Sequence, residues 1–196
     1  MKKKINYLEF KKSLEQTGKT FFSFEDLKKF YPTSPRSLKS LLSSWSKRKL
    51  IINLTRGWYA FDLVNLDYLN LACQIVPNSY ISFESALSIR GLTNQVPSVV
   101  TLATKSRSRT IYAITWVFEY THLKSDLIFS YEIYNKCYLA SGEKALADLI
   151  YLISRGKRIV ELDSLDKTKI DKKKFKQVLK SFPSYTFKKA QELITD

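Results

Sequence analysis

A single histidine is present in the 196 residues, and cysteine is nearly as scarce, with two. His122 stands beside Thr121 at the end of an expected strand, with no Ser, Cys or Asp at a motif spacing. It can supply no multi-histidine metal site and reads as a surface or edge residue. Cys73 and Cys137 lie far apart in apolar settings, without CxxC spacing or a neighbouring His. That pattern fits buried free thiols in a reducing cytoplasm. GxSxG, HExxH and Walker-type loops are all missing. Thr17-Gly18-Lys19-Thr20 has the Lys-Thr of a phosphate loop but neither its upstream glycine nor a preceding strand, so it reads as a turn. No apolar run approaches the length needed to span a bilayer. Met1-Lys2-Lys3-Lys4 could imitate the start of a signal peptide, but Glu9, Lys11 and Lys12 interrupt any apolar core behind it. No cofactor, metal or membrane partner is expected, and the expected location is the cytoplasm.

What the chain does have is a hydrophobic fraction of 44%, enough to bury a core, and a net charge of +15. Such a charge favours a polyanionic partner. Residues 1–64 carry 14 Lys and Arg against 5 Asp and Glu, while residues 65–196 carry 19 against 13. The basic excess is therefore densest in the first third of the chain.

That first third contains the most organised stretch, Phe22 to Phe61. Ser23, with Asp26 three residues on, has the form of a capping box. Tyr31-Pro32 ends the helix it opens, because the residue before proline is pushed out of the helical region. Ser34 then caps a second helix with Pro35 at its first position. Leu38, Leu41, Leu42 and Trp45 form one apolar stripe on that helix. The opposite face carries Arg36, Lys39, Ser40, Ser43 and Lys47, with Ser37 and Arg48 beside them and no acid. Lys49 to Leu54 reads as a strand, Thr55-Arg56-Gly57 as a turn, and Trp58 to Phe61 as the returning strand. Helix-turn-helix followed by hairpin is the pattern of a winged helix, with Arg56 at the tip of the wing. The DNA-binding residues expected are Arg36, Ser37, Lys39, Ser40, Ser43, Lys47, Arg48 and Arg56. A preceding helix over residues 5–16, through Ile5, Leu8, Phe10 and Leu14, would pack on this pair.

Beyond a boundary expected at 64/65, helices are expected at Leu66–Val76 and, capped by Ser82 and closed by Gly91, at Phe83–Arg90. From Val96 the pattern turns β-branched. Strands are expected at 98–104, 110–113, 115–120, 127–134 and 137–140, with Ser79–Ser82 briefly extended and Asn135-Lys136 a hairpin turn. This is a mostly antiparallel sheet of four or five strands. An amphipathic helix, Lys144–Ser154, would bury Ala145, Leu146, Leu149, Ile150 and Ile153, and two helices follow, 171–181 and 184–194. The fold class expected is α+β: a winged helix-turn-helix domain over 1–64, then a domain over 65–196 with packed helices.

Chemistry in the second part is sparse. Glu84, Glu132, Glu143 and Asp148 are its acids near elements, and a metal-dependent nuclease would need two or three of them to converge on Mg²⁺ beside a lysine such as Lys144. Acids in a helix's first turn are also explained by the helix dipole, so a nuclease delivered by a winged helix stands only as the alternative. Lys105, Arg107 and Arg109 alternate along a loop, forming either a second polyanion-attracting patch or a solvated segment.

The run Ser79-Tyr80-Ile81-Ser82-Phe83-Glu84-Ser85-Ala86-Leu87, then Gly91-Leu92 and Val96 to Thr104, resembles a known pattern. Phe129-Ser130-Tyr131 and Ala140 to Leu149 (ASGEKALADL) extend it. Together they resemble the AbiEi-type antitoxins of bacterial type IV toxin–antitoxin, or abortive infection, systems. The resemblance implies a transcriptional autorepressor, not an enzyme, that binds repeats in its own promoter DNA. It also implies neutralisation of a nucleotidyltransferase toxin through the second domain without a stable complex. A dimer on DNA would suit promoter repeats. The role of the Lys105–Arg109 patch and of the C-terminal helices is left open.

Overall fold

The structure, a computed structural model, describes residues 6–160 and 162–194, so the readings placed on Met1–Lys4 and Ile5 lie outside it. The described residues form eight α-helices and two sheets, an α+β protein whose strand pairings are mostly antiparallel. The chain divides into two compact units, Met1–Leu71 and Ala72–Asp196. The boundary expected at 64/65 falls earlier, ahead of the helix that crosses this division.

In the first unit, α1 (Tyr7–Gln16) starts at Asn6, whose side chain accepts from the Leu8 N–H. Phe10 and Leu14 point into the core, but Leu8 is 68% exposed. It lies two residues from Phe10, about 200° round the helix, so it faces away from the stripe on which it was expected. A short strand that the sequence reading did not include, β1 (Phe21–Ser23), precedes α2 (Phe24–Phe30). Ser23 Oγ accepts from the Asp26 N–H at 3.1 Å, and Asp26 Oδ2 accepts from the Ser23 N–H at 2.9 Å, completing the capping box. Lys19 donates to the other carboxylate oxygen at 2.8 Å.

Helix α3 (Pro35–Lys47) has Ser34 as its cap and Pro35 in its first turn, as expected. It ends with Lys49 in the left-handed region at φ 56°. There the Leu50 N–H reaches back to Trp45 O and the Lys49 N–H to Ser46 O, each at 2.9 Å. Both bonds satisfy carbonyls that the helix end would leave open. This turn is why β2 (Ile52–Thr55) starts later than residue 49. With β3 (Trp58–Ala60) it completes an antiparallel sheet in the order β1-β3-β2.

Leu38, Leu42 and Trp45 of α3 meet Phe10, Phe22, Leu27, Tyr31 and Ile51 in one cluster, with Leu41 partly buried beside it. Phe10 is its hub, with ring centroids 4.9 Å from Phe22 and 5.9 Å from Trp45. Tyr31 donates to Asn6 O at 2.7 Å, and Tyr7 donates to Leu50 O at 2.9 Å. Those two bonds tie α1 to the end of α2 and to the turn after α3.

Helix α4 (Tyr68–Ile75) leads to β4 (Ser79–Ile81) and α5 (Phe83–Ile89). Strands β5 (Val100–Thr104), β6 (Arg109–Ala113), β7 (Trp116–His122), β8 (Tyr131–Tyr134) and β9 (Cys137–Ala140) follow. The sheet has six strands in the order β6-β7-β5-β4-β9-β8. Two pairings, β5 with β7 and β4 with β9, are parallel. The brief extended segment 79–81 is thus an interior strand, antiparallel to β5 and parallel to β9. The strand expected over 127–134 splits into a 3-10 turn, Ser125–Leu127, and β8. Asn135 and Lys136 do form the hairpin turn, both with positive φ.

Helix α6 (Gly142–Ser154) packs against α5, α7 (Lys172–Leu179) and α8 (Ser184–Ile194). Every residue from Lys144 to Leu152 is buried, so the helix is enclosed rather than amphipathic. An added Cβ on Gly142 would meet the Leu92 side chain, which would have to shift to make room.

The two charged residues of this enclosed stretch answer each other. Lys144 and Asp148 are fully buried and ion-paired one turn apart. Lys144 Nζ also donates to the Tyr80 hydroxyl at 2.9 Å, which donates to Asp148 Oδ2 at 2.9 Å. Ser82 Oγ donates to the same oxygen at 2.8 Å. Ser82 therefore occupies the cap position of α5 without capping it through its side chain, which corrects the sequence reading. The ammonium also lies 4.9 Å from the Phe129 ring centroid, 5.2 Å from that of Phe182 and 5.4 Å from that of Tyr80. Burial pushes the Asp148 carboxyl up and the Lys144 ammonium down, and their mutual attraction opposes both shifts.

Two stability predictions follow from these contacts. Burial alone would raise the Asp26 carboxyl, but hydrogen bonds from Lys19 and Ser23 outweigh it and hold the group below its ordinary range. Its stabilising effect is then full above the unfolded pKa, about 3.9, and is lost as pH falls through the lower folded value. Ser23→Ala should cost about 1 kcal/mol. The gap between wild type and Asp26→Asn in thermal melts should be clear at neutral pH and close in strong acid. In the second unit, Lys144→Met leaves a buried carboxylate without its counter-charge and should cost about 3–5 kcal/mol in urea denaturation. Adding Asp148→Leu should restore part of that loss.

Candidate nucleic-acid interface

Once α3 commits Leu38, Leu42 and Trp45 to the core, with Leu41 partly buried beside them, its polar positions are left facing solvent. Arg36, Ser37, Lys39, Ser40, Ser43, Lys47 and Arg48 are all exposed. No Asp or Glu occurs between Asp26 and Asp62, a stretch that holds eight Lys and Arg. Among the described residues none of Arg36, Lys39, Lys47, Arg48 or Arg56 takes part in an ion pair. The lysines of this unit that do, Lys11, Lys19 and Lys28, pair with Glu15, Asp26 and Glu25. The cations of α3 therefore keep their full field toward solvent.

Lys39, Ser43, Ser46 and Lys47 line one side of a shallow groove of about 380 Å³, and Asn53 and Tyr59 line the other. The groove gathers Lys39, Ser43 and Lys47 from among the expected residues. It adds Ser46, Asn53 and Tyr59, which the sequence reading missed. Asn53 and Tyr59 are opposite each other in the β2–β3 register. The available signal was a polar Asn set between Ile52 and Leu54, since a strand sends alternate residues to opposite faces. Ser37 has a second task, with its N–H and its hydroxyl both bonded to Ser34 Oγ at the start of α3. Arg36, Ser40 and Arg48 are exposed but do not line the groove.

Arg56 is exposed in the β2–β3 turn, where Gly57 adopts φ +81°. The Gly57 carbonyl accepts from the Phe24 N–H at 2.9 Å, so the turn is tied to the start of α2. In the second unit Lys105, Arg107 and Arg109 are exposed, but the chain bends at 105–106 instead of running extended through the loop. His122 braces that loop: its N–H donates to Ser108 Oγ at 2.9 Å, and its Nδ1 lies 3.0 Å from Lys105 O.

The four acids considered for metal chemistry each have a partner of their own. Glu84 pairs with Arg158 at 2.7 Å, Glu132 with Arg90 at 2.7 Å, and Asp148 with Lys144. Glu143 accepts from the Asp171 N–H at 3.4 Å. Among the described residues no group of three His, Cys, Asp or Glu is placed to hold a metal ion, and no helix is long and apolar enough to cross a membrane. No three of these four carboxylates come together as a metal-holding group.

No protein-family model and no curated protein sequence matches the chain. Among solved structures it is similar to the crystal structure of the RV2827C protein from Mycobacterium tuberculosis, with a TM-score of 0.63 and 12% identity. The match covers 100% of this chain and 78% of the mycobacterial one. At that identity the likeness is one of fold.

Because the α3 cations are exposed and unpaired, removing them should leave folding nearly untouched. Arg36→Ala and Lys47→Ala are each expected to shift unfolding free energy by no more than about 0.5 kcal/mol in urea titrations.

Proposed function

We propose that the first unit is a winged helix that binds double-stranded promoter DNA. In this reading α3 enters the major groove, while the β2–β3 turn carries Arg56 to flanking phosphate or the minor groove. The observation that carries it is the acid-free, unpaired cationic face of α3 beside the groove shared with the hairpin. A helix of 13 residues is about 20 Å long and suits a groove roughly 12 Å wide. Lys39, Lys47 and Arg48 would neutralise phosphates. Arg36, near the N-terminal end of the helix, would read a base, and Ser40 and Ser43 would supply shorter hydrogen bonds.

On the resemblance of its second part to AbiEi-type antitoxins, we further propose a cytoplasmic antitoxin and autorepressor of a type IV toxin–antitoxin system. It would bind promoter repeats, as a dimer where two repeats are adjacent. It would oppose a nucleotidyltransferase toxin without forming a stable complex. Support for this half comes from the sequence pattern alone.

Promoter affinity, followed by fluorescence anisotropy, should fall linearly on a log–log plot against salt by about 0.9 per phosphate neutralised. Arg36→Ala with Lys47→Ala should make that slope shallower by about 1 to 2, and loss of a bidentate base contact by Arg36 would cost about 1–3 kcal/mol of discrimination. Unchanged promoter binding in the double variant would remove α3 as the reader. Failure of co-expression to rescue cells from an adjacently encoded nucleotidyltransferase would remove the antitoxin half.

A further inference from the structure

The positive charge of the second part of the chain is not spread through it. Residues 65–166 hold ten Lys and Arg against ten Asp and Glu, whereas residues 167–196 hold nine Lys against three acids. The excess sits on a two-helix element with an open seam. Between α7, α8 and the short 3-10 turn before them runs a groove of about 660 Å³. That volume is within the ~300–1,000 Å³ range of sites that take up a ligand.

The groove is apolar at its base and cationic along its edge. Ile170, Phe175 and Leu179 are buried and form the floor, and Phe187 lines it while remaining 38% exposed. Lys172 and Lys176 stand on the rim, exposed, and neither is in an ion pair among the described residues. Their neighbours are engaged: Lys169 with Asp166, Lys174 with Asp171 and Lys189 with Glu192. Of the lysines of this element that are in no ion pair among the described residues, Lys172 and Lys176 line the groove, while Lys173, Lys180 and Lys188 do not.

We infer that this groove docks an acidic amphipathic helix of a partner protein. Such a helix sets apolar side chains at i, i+3, i+4 and i+7 into the seam while its flanking Asp and Glu meet Lys172 and Lys176. The combination singles out this occupant. A nucleic-acid duplex would satisfy the lysines but has nothing to place against Phe175, Leu179 and Phe187. A neutral apolar helix would fill the floor and leave the rim unanswered. The inference is independent of DNA binding by α3.

The test uses the full chain and a fluorescent peptide of about four helical turns, with Leu at i, i+3, i+4 and i+7 and Glu at the flanking positions. Saturable binding is expected, and both Phe187→Ser and the pair Lys172→Glu with Lys176→Glu should weaken it by about tenfold or more. Circular dichroism melts of these surface variants should match wild type, and their promoter binding should persist, so failure here and failure of the DNA-binding reading are distinguishable. A peptide of the same composition in scrambled order should bind at least about tenfold more weakly. Absence of saturable binding, equal binding of the scrambled peptide, or indifference to Phe187→Ser overturns the inference. So does a random-sequence DNA duplex that loses more affinity than the peptide on charge reversal, because the element would then be a polyanion surface.

Discussion

An ammonium group taken wholly out of water must be answered on every side, and the second unit is arranged around that requirement at Lys144. Its carboxylate partner comes from one turn along the same helix and its hydroxyl acceptor, Tyr80, from β4, while Ser82, the residue after β4, donates to that carboxylate. Aromatic rings from two other segments close over the ammonium. The cost of desolvating two charges is offset only when every member of such a network is satisfied. α6 must therefore meet β4 at one height and one rotation. A slip of one residue in β4 would turn Tyr80 away and leave Asp148 with a donor missing. The network also explains why a serine at a helix-cap position forgoes its cap, since the buried carboxylate is the more demanding acceptor.

The first unit is governed by a different constraint, the sharing of one short helix between core and solvent. The aromatic cluster around Phe10 holds the three helices from within, and Tyr7 and Tyr31 fasten α1 by single hydrogen bonds to main-chain carbonyls. α3 contributes a narrow apolar stripe to that cluster, with Leu41 partly buried beside it, and presents its polar positions outward. Acids are available in α1 and α2, where they pair with local lysines, and are absent from α3 and the hairpin. Charge is thus sorted by element, which leaves the α3 face and the turn at Arg56 with an uncompensated positive field.

A second cationic surface, on α7 and α8, differs in kind. Around α3 the exposed face is composed of Lys, Arg and Ser, as suits a polar and charged partner. Between α7 and α8 the lysines border an apolar floor with Phe187 partly open to water. Two proposals, one for DNA and one for an acidic helix, rest on that difference in what lies between the charges.

Much of the local structure was legible in the residues themselves. The Ser23–Asp26 capping box, the Ser34-Pro35 start of α3, its Leu38, Leu42 and Trp45 stripe, and the Asn135-Lys136 turn depend on neighbours within a few positions, so their chemistry can be read in order along the chain. The basic face of α3 was legible for the same reason: helical periodicity assigns the faces once the stripe is known. β1 and the interior place of β4 were not, because three-residue strands are defined by partners far away in sequence. Nor was the burial of Lys144 and Asp148. A Lys–Asp pair one turn apart reads as a surface pair until helices and aromatic rings from distant segments are seen to enclose it. The groove at α7 and α8 belongs to the same category. By itself the sequence determined where the helices and the hairpin turn start and which faces are charged, since propensity, capping and periodicity are local. Only the tertiary structure decided which of those charges stay in water, because burial depends on what other parts of the chain bring against them.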